Sequence, residues 1–232
     1  CDAFDGCGEL LAIGAGLAVF AVLAGRAAGK LGVPSLLVFV AIGMLAGEEG
    51  PGGIAFEDRR IPGKDWPALR DTMPFQALPV LEVDGVSISQ SNTINRYLGK
   101  LTGLYPRDDW QATLVDEVMD AVEDISTSIG NTMALEGAAK QKAREALAAG
   151  PIPRYLQQLE ARLRAGGGEW FVENRLTVAD LKCFLWVRWL KSGALDHIPS
   201  DIVDRHAPLL AKHFDRVRSQ PGIAAYYAAR GK

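Results

Sequence analysis

The sequence predicts an α/β half followed by an all-α half, the whole preceded by an apolar helical hairpin. Three observations carry this. Residues 10–25 and again 31–47 contain no charge. From about 56 to 89, short β-rich runs alternate with turn residues. From 108 onward, apolar residues recur at three- and four-residue spacing, the period of helices with one buried face.

The apolar runs flank Arg26 and Lys30, and a breaker-rich linker from Glu48 to Gly53 closes them. At about 1.5 Å per residue the first run spans roughly 24 Å, short of a hydrocarbon core of ~30 Å, unless Arg26 snorkels and lengthens it. Neither run has a polar face, so a membrane hairpin over residues 10–47 is the expectation and a buried core hairpin the alternative. Next come a strand over 56–61, a short helix over 66–70 with Pro67 in its first turn, and strands over 80–83 and 86–89. The pair Asp84-Gly85 between those strands is the strongest two-residue hairpin signal. A helix follows to about 101, with Ser91 as its N-cap and Gly103 as its stop.

In the helical half, Leu114, Val115, Val118, Met119, Val122, Ile125 and Ile129 mark one long helix. Others are expected from about 140, over 155–163, and over 208–219. Thr177 and Asp180 form a capping box, with Leu176 and Leu181 placed for its hydrophobic staple. The helix behind it carries Leu181, Phe184, Leu185, Val187, Trp189 and Leu190 and is expected to be buried. The predicted organisation is thus 1–53, 54–103 and 104–232.

With 25 Lys and Arg against 28 Asp and Glu, a net charge of −3, and 48 % hydrophobic residues among 232, the chain has a globular composition of one or two domains. That excludes a disordered chain, a wholly membrane-embedded one, and a dedicated nucleic-acid binder, which needs a basic footprint. Three cysteines without a CxxC pair exclude a disulfide scaffold and a zinc ribbon. The chain opens on Cys1 rather than Met, as a fragment or a processed chain would.

Two resemblances follow. The stretch GRAAGKLGVPSLLVFVAIGMLAGEEGPGGIAF resembles the amino-terminal hairpin of bacterial monovalent cation/proton antiporters, over residues 9–56 only. Two helices cannot build an alternating-access site, so antiport is not implied. Residues 56–230 resemble the cytosolic glutathione transferases, the sigma-like group in particular. FEDRRI, WPALRDTMPF and LPVLEVDGVSISQSNTINRYL look like the second half of their thioredoxin-like domain. LVDEVMDAVEDI and LTVADL look like landmarks of their all-α domain. The resemblance implies an incomplete thioredoxin-like domain and a glutathione-transferase-type helical domain. It also implies glutathione as co-substrate without a metal, a small hydrophobic electrophile, a homodimer, and a cytoplasmic setting.

The resemblance also implies a binding set. Pro79 would be cis, turning the backbone of Leu78 toward the cysteinyl part of glutathione like an added strand; a trans proline opening an edge strand is the alternative. Gln90 and Ser91 would receive the γ-glutamyl carboxylate at a helix N-terminus, which suits an anion; as a plain cap, Ser91 would need no ligand. Trp66 and Arg70 share a helix face and would approach the glycyl end, Arg70 standing where Lys is usual; a partly packed Trp and a solvated Arg are the alternative. Of the stripe Asp116, Asp120 and Asp124, Asp120 would reach across a dimer interface to the glutathione amino group; a solvated face is the alternative. His206 and His213 are read as surface or interface residues rather than metal ligands, and Cys183 as an inert core thiol.

The family's first strand ends in a Tyr, Ser or Cys that hydrogen-bonds the glutathione sulfur and favours its thiolate. Here the first Tyr is Tyr97, and none precedes Phe56. Cys7 is flanked by Asp2, Asp5 and Glu9, which would raise its pKa. The catalytic residue is therefore unassigned and weak activity is expected. Residues 1–55 read as a fusion, a mis-joined frame, or drifted first elements with 36–40 as a substitute strand. A basic turn kept in the cytoplasm would send the rest of the chain to the far side, away from cytosolic glutathione.

Overall fold

The structure, a computed structural model, describes residues 17–21 and 56–228, with side chains for 59 and 61–228. Four strands make one mixed sheet in the order β2-β1-β3-β4, where β1 is Leu17–Ala21, β2 Phe56–Arg60, β3 Val80–Val83 and β4 Val86–Ser89. β1 runs parallel to β2, with Leu17 opposite Phe56, and antiparallel to β3, with Val19 opposite Leu81. β3 and β4 form the expected hairpin, with Val80 opposite Ser89. Its turn residues Asp84 (φ 51°) and Gly85 (φ 78°) are both left-handed, as a type I′ turn demands.

β1 corrects two expectations. Residues 17–21 are a strand, not part of an apolar helix, so the helical hairpin does not hold across its first run. The sheet also has a strand ahead of β2, paired on both sides, so the thioredoxin-like half is not missing it and β3 has no open edge. A strand with neighbours on both sides reads as a continuous apolar run, the same pattern as a buried helix. The second apolar run, the linker and the substitute strand at 36–40 lie outside the described residues. Among those described, no helix is long and apolar enough to cross a membrane.

Helix α1 is Trp66–Leu69, with Pro67 in its first turn, followed by 3₁₀ turns at Arg70–Thr72 and Pro74–Gln76. Helix α2 is Ser91–Leu101, and Gly103 (φ 71°) lies just beyond its end. Helix α3, Asp109–Gly130, is capped by Asp108, whose carboxylate accepts the Gln111 amide at 2.9 Å. Next come α4 (Gly137–Ala149), α5 (Pro151–Ala165), α6 (Val178–Lys191), α7 (Ile202–His206), α8 (Pro208–Arg218) and α9 (Pro221–Ala228). Helices α7 and α9 were not expected: the one is too short to show a period, and the other, PGIAAYYA, has no polar face.

α6 is the axis of the helical half. Nearly its whole length is buried, and the capping box at its start is formed as expected. The Val178 amide donates to Leu104 O at 3.0 Å, which ties the interdomain linker to the head of this helix. Leu81 of β3, together with Ile94 and Leu98 of α2, joins the apolar core of α3, α6 and α8, so the hairpin and helical halves share one interior.

Candidate functional site

The register of the β3–β4 hairpin makes the site. Val80 lies opposite Ser89, so Leu78-Pro79 entering β3 and Gln90-Ser91 leaving β4 flank the same open end. The Leu78–Pro79 bond is cis. Pro79 is buried and Leu78 half-buried. Gln90 has φ 75°, so the chain turns sharply there into α2.

Ser91 is not the cap that the sequence implied. Gln90 occupies the N-cap position, no side chain caps α2, and Ser91 is the first helical residue. The first amide engaged within the helix is that of Ile94, to Gln90 O at 3.0 Å. The amides of Ser91, Asn92 and Thr93 therefore precede the helical ladder and carry the positive end of the helix dipole. The Ser91 hydroxyl is used elsewhere. It donates to Glu123 Oε2 at 2.9 Å and accepts from Lys182 Nζ at 3.2 Å. Lys182 also bonds Glu123, and its side chain is only 5 % exposed, which a lysine tolerates when its charge is paired. Burial by itself would raise the Glu123 carboxyl, but the Lys182 charge and the bonds from Lys182 and Ser91 outweigh it and hold it below its ordinary value.

A second network runs beside the first. Asp120 accepts from Asn92 Nδ2 at 2.6 Å and from Arg96 Nη2 at 3.3 Å, while Arg96 Nε binds Asp116 at 2.7 Å. The Tyr105 hydroxyl donates to the same Asp116 oxygen at 3.0 Å. Burial, then the bond to Asp116 and its charge, push the Tyr105 phenol up to about 12. Two of the three stripe carboxylates thus latch α3 to α2 rather than forming only a solvated face. Asp124 is exposed. Asp120 keeps 61 % of its side chain exposed, with room for a further donor.

Trp66 is half-buried and Arg70 exposed, one turn apart, and Arg70 Nε pairs with neighbouring Asp71 at 3.2 Å. Among the described residues, neither bonds to the hairpin end. His213 corrects the surface reading. It is fully buried on α8, with Nε2 at 2.8 Å from Asp180 Oδ1, and His206 lies on the separate α7. Cys183 is a buried free thiol, as expected, and burial followed by nearby Asp180 drives its pKa up. Among the described residues no cluster of His, Cys, Asp and Glu could hold a metal ion. A cleft of about 470 Å³ between α3 and α5, lined by Val118, Ala121, Tyr155 and Leu159, shares no residue with the hairpin end.

The sequence reasoning missed Glu123 and Lys182. Glu123 sits within the motif LVDEVMDAVEDI but off the Asp spacing, and Lys182 shares α6 with three other charged residues, Asp180, Arg188 and Lys191. A lysine between Leu181 and Cys183 on a helix expected to be buried was the available signal, because its charge must find a partner.

A cis-proline hairpin feeding the uncapped start of a helix, on a mixed sheet joined to a helical bundle, is the architecture of a thioredoxin-like half with an all-α half. Comparisons agree. Residues 53–100 match the glutathione S-transferase N-terminal domain, and residues 123–230 match the C-terminal domain. Hematopoietic prostaglandin D synthase of Gallus gallus is 36 % identical over 180 residues, 78 % of this chain and 86 % of that one. Glutathione S-transferase 1 of Ascaris suum is 32 % identical over 184 residues, again 78 % and 86 %. The solved structure of prostaglandin synthase D of Nilaparvata lugens superposes with a TM-score of 0.75 at 26 % identity, covering 93 % of this chain and 98 % of that one. The chain belongs to the glutathione S-transferase family.

Proposed function

We propose that this protein is a sigma-like glutathione transferase that binds glutathione at the hairpin end. It joins the sulfur of glutathione to a small hydrophobic electrophile, or reduces a peroxide with the same thiolate. The observation that carries the reading is the uncapped start of α2 beside the cis Leu78–Pro79 bond, aligned by the Val80–Ser89 register. Leu78 offers its backbone to the cysteinyl unit. Gln90, Ser91 and the first α2 amides take the γ-glutamyl carboxylate. Trp66 and Arg70 serve the glycyl carboxylate. Asp120 serves the amino group across a homodimer. A cytoplasmic setting supplies the glutathione.

A second reading, a non-catalytic glutathione-binding scaffold, is favoured by one observation. β1 is Leu-Ala-Val-Phe-Ala, and residues 8–34 contain no hydroxyl or thiol at all. Calorimetry tests the shared part: the protein should bind glutathione, and Ser91→Ala should lose roughly 1.5–3 kcal/mol, one charge-assisted bond. Equal affinities would sink the role of Ser91. A thiol-conjugation assay then separates transferase from scaffold.

A further inference from the structure

We infer that Lys182 is a positioning residue for the glutathione carboxylate: from α6 it neutralises Glu123, so that the Ser91 hydroxyl can turn to the ligand. This rests on the proposed cradle and adds to it a residue from α6, which reaches the Ser91 hydroxyl.

The geometry of three groups argues it. Ser91 stands first on α2 with its hydroxyl hydrogen given to Glu123. A carboxylate ligand arriving at the α2 amides needs that hydrogen, and it meets Glu123 as a like charge. Lys182 answers both difficulties. Its ammonium donates to Glu123 Oε2, the atom that also accepts from Ser91, so this oxygen keeps a strong charged donor when the hydroxyl rotates away. It donates as well to the Ser91 oxygen, fixing that atom while leaving its hydrogen free to choose an acceptor. Proton count and net charge are unchanged; only the hydroxyl rotor moves.

Among the described residues, no group on the neighbouring helices substitutes for Lys182. On α2, Arg96 is taken up by Asp116 and Asp120. On α3, the other carboxylates, Asp109, Asp116, Glu117, Asp120 and Asp124, add negative charge. On α6, Asp180 is bound to His213 and to the capping box, Arg188 lies over the Tyr227 ring, and Lys191 pairs with Asp204. Lys182 is therefore the cation that balances Glu123 at this point, and its burial keeps it from being screened by solvent.

The consequence is a pH signature. With Lys182 present, Glu123 stays ionised and glutathione binding should vary less than twofold from pH 5 to 7, where glutathione's carboxylates, amine and thiol hold their charge states. In Lys182→Met, ligand binding raises the Glu123 pKa, a proton is taken up with the ligand, and affinity climbs as pH falls. We expect Lys182→Met to bind glutathione about tenfold more weakly at pH 7 and to regain most of that loss by pH 5. The double variant Lys182→Met/Glu123→Gln removes both charges, leaves no unpaired one, and should bind within a few fold of wild type with no pH dependence. Lys182→Arg, keeping the charge, should remain flat with pH. Calorimetry on the four proteins, each checked by thermal melt, decides. Lys182→Met binding like wild type overturns the inference, as does a loss equal at every pH that the double variant does not relieve. If Ser91→Ala weakens binding while Lys182→Met does not, the inference alone fails. A wild type that does not bind glutathione overturns the cradle and the inference together.

Discussion

Asp180 is the most heavily used carboxylate in the described chain. Its oxygens accept from the Thr177 amide and hydroxyl at 2.7 Å each, from the Phe171 amide at 3.1 Å, and from His213 Nε2 at 2.8 Å. It is fully buried, so every one of these donors would be stranded without it. The capping box was legible because it is local, three residues apart in sequence. The His213 contact was not, because its partners are 33 residues apart and no local spacing links them. Asp180→Ala should cost roughly 3–5 kcal/mol, the range for removing one partner of a buried pair. His213→Ala or Thr177→Ala should each cost less, since either leaves the other bonds intact. Urea unfolding of the three variants is the check. A loss below about 1 kcal/mol for Asp180→Ala would mean that the carboxylate is not the hub described.

At the scale of elements, the placement of α2 on α6 is what holds the proposed cradle. Gly99 makes the close approach: a Cβ there would stand 2.7 Å from Val178 Cγ1 and 3.1 Å from Tyr105 Cβ. Val178 has branched, stiff methyls in the first turn of α6 and cannot swing aside. Gly99→Ala should therefore cost about 1–3 kcal/mol. It should also weaken glutathione binding, because α2 carries Ser91 at its other end. Unchanged affinity alongside lost stability would separate the fold's need from the site's.

The neighbouring latch has a pH signature of its own. Tyr105 is lifted from 10 to about 12, so the neutral phenol is favoured in the folded state. Its contribution is complete below pH 10 and is lost as pH rises through about 12. The stability gap between wild type and Tyr105→Phe should stay constant from neutral pH to 10 and then narrow, as urea midpoints across that range would reveal. Of these elements, α2, α3, the β3–β4 hairpin and the head of α6 were all legible, because turn chemistry, caps and helical period are local signals. β1 was not. Its five residues have no polar alternation, and only the parallel register with β2, some forty residues downstream, distinguishes it from a buried helix.

At the scale of the molecule, the proposed cradle lacks a thiol-activating group on β1, the first strand among the described residues. β1 lies between β2 and β3, yet neither it nor any residue from 8 to 34 offers a hydroxyl or thiol. Without such a donor a thiol of pKa ~8.5 is only a few per cent ionised at pH 7, and restoring two units corresponds to roughly 2.7 kcal/mol of thiolate stabilisation. We therefore expect this protein to bind glutathione but to conjugate it slowly, at a rate that keeps rising with pH up to about 8.5 as free thiol ionises. Replacing residues 1–55 with the first strand and helix of a Tyr-bearing relative should leave glutathione affinity within a few fold. It should raise the rate at pH 7 on the order of tenfold to a hundredfold, and level the pH profile at a lower pH. The profile distinguishes the outcomes better than the rate does. A plateau near neutral pH in the original chain would mean that some other residue already stabilises the thiolate. A chimaera that binds glutathione yet gains no rate would leave the cradle intact and favour the scaffold reading.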